Sequence, residues 1–267
     1  MMLSNNEDPG SVWQAHDVLD DVSASDWVTA ALPRFDSTVG SLVPPIYPGY
    51  TRVLHPATRV EHDSGAVVPV RWAEIAATTG AVIHPTVEWF SLLHAGTNRG
   101  AGDGNSTVWD DAPEIGDMPE EQFVALAAVL AGHTDTPDDC WFGFWEGRGA
   151  AQSLGLPRFG PRMTIPNRES FLLTHGTVHD AVRTLDSWGP NLWWPQDRAW
   201  FVATDIDLMS TYIGSSVDCA CALHACPELE TVDTTATNRV TWDSDDVNPL
   251  PPNPYTRSQP PSTGGVP

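Results

Sequence analysis

A chain of 267 residues carrying 35 carboxylates against 13 basic side chains has room for one large domain or two small ones, and its formal charge of −22 disfavours nucleic-acid backbones and anionic lipid as partners. Every basic residue is an arginine, so chemistry that needs an amine on a flexible stem is excluded: no Schiff base, no pyridoxal-phosphate anchor, no Ser–Lys dyad and no P-loop lysine. Twelve tryptophans offer large apolar surfaces to a core otherwise short of Ile and Met, and so acidic a chain leaves open a mimic of nucleic acid or a cap on a basic partner, beside acidity that serves solubility alone.

Residues 1–22 hold Glu7, Asp8, Asp17 and Asp20 without an apolar stretch, which predicts a flexible acidic N-terminus and no secretory leader. Asp26 opens a short helix that Pro33 stops, and Pro44, Pro45 and Pro48 force an extended connection. Tyr50–Leu54 reads as a strand with Tyr50, Arg52 and Leu54 on one face. Thr58–Val60 and Val67–Val70 form a hairpin around Asp63–Ser64–Gly65. Arg71–Thr79 is helical, with Trp72, Ile75, Ala76 and Thr79 on one stripe and Gly80 at the left-handed cap.

Residues 95–118, rich in Gly, Asp, Asn, Ser and Thr, predict a long loop. Pro119–Leu130 is a helix, with Glu120 and Glu121 at its positive end and Gly132 beyond it. Its apolar run, Phe123–Ala131, is too short to cross a bilayer, so a soluble cytoplasmic protein is expected. Strands are expected at Cys140–Trp145, Ser170–Thr174, Ala199–Asp205, Thr211–Ile213 and Leu229–Val232, with short helices at Val178–Leu185 and Val217–Ala225. From Asp243 prolines recur, which predicts a disordered tail over 243–267 and a single globular domain over 23–242. Hairpin-like pairs without regular βα alternation point to α+β: a mainly antiparallel sheet with a few helices packed on one face.

The segments Tyr50–Pro56, His133–Pro137, Cys140–Trp145, Asn191–Trp200 and Ser210–Gly214 together resemble a group of actinobacterial proteins. The resemblance spans residues 27–232 and implies one domain in a bacterial cytoplasm; it implies no activity.

The candidate locus is Trp193–Asp207. Strand alternation puts Asp205 and Asp207 on one face, about 7 Å apart, where a carboxylate pair can hold a divalent ion or divide into acid and base, with Glu146 or His55 as helper. Trp193 and Trp194 are expected to straddle a sheet edge, one ring outward beside Arg198, as a flat stacking surface.

Other groupings carry less. Cys219, Cys221, His224 and Cys226 look like a metal set by count, but at about 100° per residue a helix turns Cys219 and Cys221 apart. His175 and His179 are split by the Gly176–Thr177 turn, and His84–Pro85 repeats the His55–Pro56 pattern without a nucleophile elbow. Gly100–Gly104 lacks the dinucleotide spacing, and Asp103, Asn105 and Thr107 lack the rest of a calcium loop. No cofactor and no metal is expected. The leading expectation is a non-enzymatic domain that binds a protein partner through an aromatic and acidic face. The alternatives are a hydrolase or transferase using Asp205 and Asp207, and a Trp-lined carbohydrate or small-molecule site.

Overall fold

Short strands whose apolar residues alternate, separated by Gly-, Pro- and Asp-rich turns, pair here into one large sheet. The structure, a computed structural model, describes residues 12–94, 108–165 and 170–251. In chain order it contains α1 (Asp26–Ala31), β1 (Gly49–Leu54), β2 (Ala57–Val60), β3 (Val67–Val70), α2 (Trp72–Thr79), α3 (Trp89–His94), α4 (Glu120–Ala131) and β4 (Cys140–Trp145). Then follow α5 (Ala150–Ser153), β5 (Met163–Thr164), β6 (Ser170–Gly176), β7 (Leu192–Pro195), β8 (Phe201–Thr204), β9 (Ser210–Ser215), α6 (Val217–Ala225) and β10 (Thr231–Thr234). Eight strands join in the order β10-β1-β9-β8-β7-β4-β6-β5, and β2 and β3 form a separate hairpin. The strand pairs are antiparallel. The class is α+β.

Alternation along the central strands sends successive residues into different cores. Trp193 on β7, Val202 on β8, Ile213 on β9 and Phe142 on β4 face α4 and α6. The spacing of Phe123, Leu126, Ala127 and Leu130 gives α4 a continuous buried stripe against that face. Its last turn is tied to the core by the Trp200 indole N–H, which donates to the Leu130 carbonyl at 3.1 Å.

The second face is covered too. Trp194, Phe201, Ala203 and Tyr212 pack under Val28 of α1, Leu32 just after it, and Val39, Leu42 and Val43. A third cluster lies beyond β1, where Trp72, Ile75, Trp89 and Leu92 of α2 and α3 meet Leu54, Ala57 and Val70. As expected, Gly80 caps α2 in the left-handed conformation at φ 78°.

Two expected boundaries move. Residues 12–22 belong to the fold: Trp13 is 2% exposed, its amide donates to the Thr184 carbonyl, and Val12 bridges to Thr184. Residues 243–248 belong to it as well, despite the prolines that follow. The Asp245 side chain is fully buried and accepts hydrogen bonds from the Glu88, Val247 and Asn248 amides and from His84 Nε2 at 2.8 Å. Burial alone would raise its carboxyl; the bonds from Asn248, Glu88 and Val247 outweigh that and hold it below the usual range. Asn248 completes the clasp by exchanging hydrogen bonds with Val82. The remainder of both expected termini, residues 1–11 and 252–267, lies outside the described residues, as does 95–107 of the long loop with its Gly100–Gly104 run.

Candidate functional site

The run from Trp193 to Asp207 does not converge. It is a hairpin, with Arg198 in the turn before β8 and Asp205 and Asp207 in the turn after it, so strand β8 separates them. β7 is an interior strand between β4 and β8, which overturns the expected edge: Trp193 is 0% exposed and Trp194 1%. The Trp193 ring stacks on Phe142 at 6.1 Å and meets Trp200 edge-on at 5.1 Å. Trp194 stacks on Phe201 at 5.7 Å, and both meet the edge of Trp27. Arg198 takes φ 59° and lays its guanidinium 5.0 Å from the Trp27 ring, so it roofs this aromatic stack from outside. The indoles are core, and no ligand can stack on them.

At the other end of β8 the sheet opens. A cleft of about 290 Å³ is lined by Phe35, Trp145, Phe171, Asn191, Ala203, Thr204, Asp205, Ile206 and Asp207, with Leu192 at its base. Register explains the walls. Trp145 at the end of β4 pairs with Phe171 at the start of β6, and Leu192 on β7 pairs with Ala203 on β8, so one sheet face presents all four.

Asn191 holds the floor together. Its side-chain oxygen accepts the Trp145 amide at 2.9 Å, and its side-chain nitrogen donates to the Thr204 carbonyl at 3.0 Å. Those bonds fix the ends of β4, β7 and β8 relative to one another.

The acidic rim follows from turn chemistry. β8 stops at Thr204, and an Asp205 carboxylate oxygen accepts the Asp207 amide at 3.1 Å, an Asx turn into β9. Strand alternation therefore does not apply to this pair, and both residues line the cleft. The turn is braced from behind by Gly116 at φ 73°, whose amide donates to the Leu208 carbonyl at 2.9 Å. A Cβ there would sit 2.6 Å from the Ile206 carbonyl oxygen, so only glycine allows this approach. Phe35, 41% exposed, stands at the mouth.

The two proposed helpers have other employment. Glu146 lies next to Trp145, yet its carboxylate accepts Arg162 at 2.9 Å and the Ser170 hydroxyl at 2.9 Å. The Arg162 hydrogen bond, with Ser170 adding to it, holds this carboxyl below its ordinary value, so it is poorly suited to give up a proton as an acid.

His55 is 0% exposed. Its Nδ1 faces the Glu114 carbonyl at 3.0 Å, so Nδ1 carries the proton and Nε2 accepts from the Thr211 hydroxyl at 2.9 Å. Thr211 Oγ1 then receives the Thr204 hydroxyl at 2.7 Å, and the chain of bonds is closed. Burial pushes the imidazole down to about 4, against the smaller opposing pull of the Glu114 carbonyl. It is a neutral, buried strut.

The remaining groupings stay apart. Cys219 is buried and Cys221 exposed on α6, His224 bonds to Thr231 and Asp233, and the Cys226 thiol donates to Glu228. His175 ends β6 against Asp139 at 3.2 Å, and His179 lies in the next short turn. Among the described residues no three His, Cys, Asp or Glu side chains gather as a metal site, and no helix is long and apolar enough to cross a membrane.

Phe35, Trp145, Phe171 and Asn191 escape sequence reasoning. The available signal was Trp141–Gly143–Trp145, three alternate residues of β4 on one face, which marks Trp145 as the strand's last ring before solvent. The chain matches no family model, no curated protein and no solved structure.

Proposed function

We propose that the protein is a binding domain whose working surface is the cleft at the end of β8, and that what it takes is positively charged. The observation that carries this reading is the juxtaposition of Asp205 and Asp207 with Trp145, Phe171 and Phe35 around one cavity. An aromatic face attracts a cation through its quadrupole, by about 0.5–2 kcal/mol, and adjacent carboxylates add a charge-assisted hydrogen bond. The charge of −22 steers cations toward that surface and anions away from it. A cavity of about 290 Å³ sits at the small end of ligand sites, the size for a side chain or a compact organic ion. This keeps the expectation of an aromatic and acidic face while moving it from Trp193, Trp194 and Arg198 to the next turn.

Thermal unfolding of the intact chain in the presence of matched cationic, neutral and anionic small molecules tests the reading. Ligand at a hundredfold excess over Kd stabilises the folded state by about 2.7 kcal/mol, and only the cations are expected to do so. An equal response to neutral sugars or to carboxylates, or persistence of the cation response in D205N/D207N, would overturn it.

A further inference from the structure

We infer that the outer edge of β10 takes an extended segment of a basic protein as an added strand, at a surface separate from the cleft. The register decides which groups are on offer. The Leu54 amide donates to the Glu230 carbonyl at 2.8 Å, and Thr231 lies opposite Val53, Val232 opposite Arg52 and Asp233 opposite Thr51. In an antiparallel ladder the bonds fall at alternate pairs, so Val232 and Thr234 bond to β1 while Thr231 and Asp233 turn their amides and carbonyls away from it. β10 closes one end of the eight-stranded sheet, and among the described residues none bonds to those outward groups.

The other strand edges are covered or blunted. β5 is two residues long, and the Thr29 hydroxyl donates to its Thr164 carbonyl at 2.9 Å. β2 is flanked by residues 110–111, where the Thr58 amide donates to the Asp111 carbonyl at 3.0 Å. β3 carries Pro69, which has no amide to offer. Among the described residues β10 has neither cover nor proline. Its one guard is Asp233, whose side chain is 88% exposed and meets His224 at 2.8 Å. A carboxylate on an open edge repels acidic strands, and the charge of −22 repels a second copy of the chain. The same charges attract a basic segment, so the guard selects a partner instead of excluding all of them. Backbone bonds supply the pairing and Asp233 the preference, the usual division of labour in strand addition.

The test uses the full chain and three short fluorescent peptides: one alternating arginine and threonine, the same peptide N-methylated throughout, and one alternating glutamate and threonine. Anisotropy reads the binding and amide hydrogen exchange reads its place. The arginine–threonine peptide is expected to bind at least tenfold tighter than either control and to slow exchange at Thr231 and Asp233. Asp233→Pro deletes an outward amide and the charge without removing a bond to β1, and should weaken binding about tenfold or more. Asp233→Asn keeps the amide and should fall between that variant and the parent. If Asp233→Pro misfolds, the N-methylated peptide on the parent chain decides the same point. Equal binding of the N-methylated peptide, undiminished binding to folded Asp233→Pro, or no binding of any peptide overturns strand addition. Equal binding of the glutamate peptide, or no difference between Asp233→Asn and the parent, overturns the basic partner. Slowed exchange at residues 205–207 in place of 231 and 233 overturns the edge and leaves the cleft reading standing. Dimers of the free chain that protect the same two amides make this edge a contact between copies and overturn the proposal too.

Discussion

The two ends of strand β8 use the same residue types to opposite effect. Before it, Trp194, Phe201 and Trp27 pile against one another and the chain's own Arg198 roofs them. After it, Trp145 and Phe171 stand on the same sheet face with Asp205 and Asp207 at the rim, and the space between them is a cavity. Aromatic content therefore says little about recognition. What matters is whether the next layer of chain reaches the rings: α1 and residues 39–43 cover the first end, and among the described residues the second keeps a cleft that Phe35 helps to line.

The contrast is sharpest in stability. Trp193→Ala, in the packed interior, is expected to cost about 3–5 kcal/mol in urea unfolding, the range for removing a large buried ring. A loss below about 1 kcal/mol would mean that the indoles are not the core.

The next effect belongs to pH. In the folded chain His55 titrates near 4 rather than at the unfolded value near 6.5, so between those limits the unfolded state binds more protons. Its contribution, roughly 3 kcal/mol, is complete above pH 6.5 and disappears as pH falls through about 4. In urea titrations across that window, His55→Gln should flatten the pH dependence relative to the parent; an unchanged slope would show that another group controls it.

Asp245→Ala strips a buried acceptor from three amides and from His84, and should cost about 1–3 kcal/mol. Hydrogen exchange should speed up at Val247 and Asn248 first. Protection that persists there would show that the clasp does not depend on the carboxylate.

At the cleft the effects shrink. Glu146→Gln loosens the Arg162 pair, which is partly exposed, and should cost no more than about 1 kcal/mol. D205N/D207N should fall within about 0.5 kcal/mol of the parent while losing the cation response. A large destabilisation would make that turn part of the scaffold and erase the difference between the two ends.

Much of the scaffold was legible. Cys140–Trp145, the Thr58–Val70 hairpin and the helices at residues 72–79 and 217–225 stand where period, turn residues and caps put them. The site was half legible. Asp205 and Asp207 were grouped on strand geometry, whereas an Asx turn sets their relation. Trp193 and Trp194 attracted attention for the very property, bulk and apolarity, that buries them. Asn191 gave no signal because its importance lies in bonds to residues 13 and 46 positions away. The ordered segment at 243–248 was hidden for a similar reason: local composition there is polar and rich in turns, and its order comes from His84, Val82 and Glu88.

By itself, then, the sequence determined the local elements, the α+β class and the strongly negative field, because propensity, alternation and charge act between near neighbours or over the whole molecule at once. Only the tertiary structure decided which tryptophans reach a cavity, which histidine is neutral and where the chain stops being tail. Those outcomes depend on which distant segment arrives to cover a given side chain, and burial, unlike periodicity, is not a property that any short stretch carries.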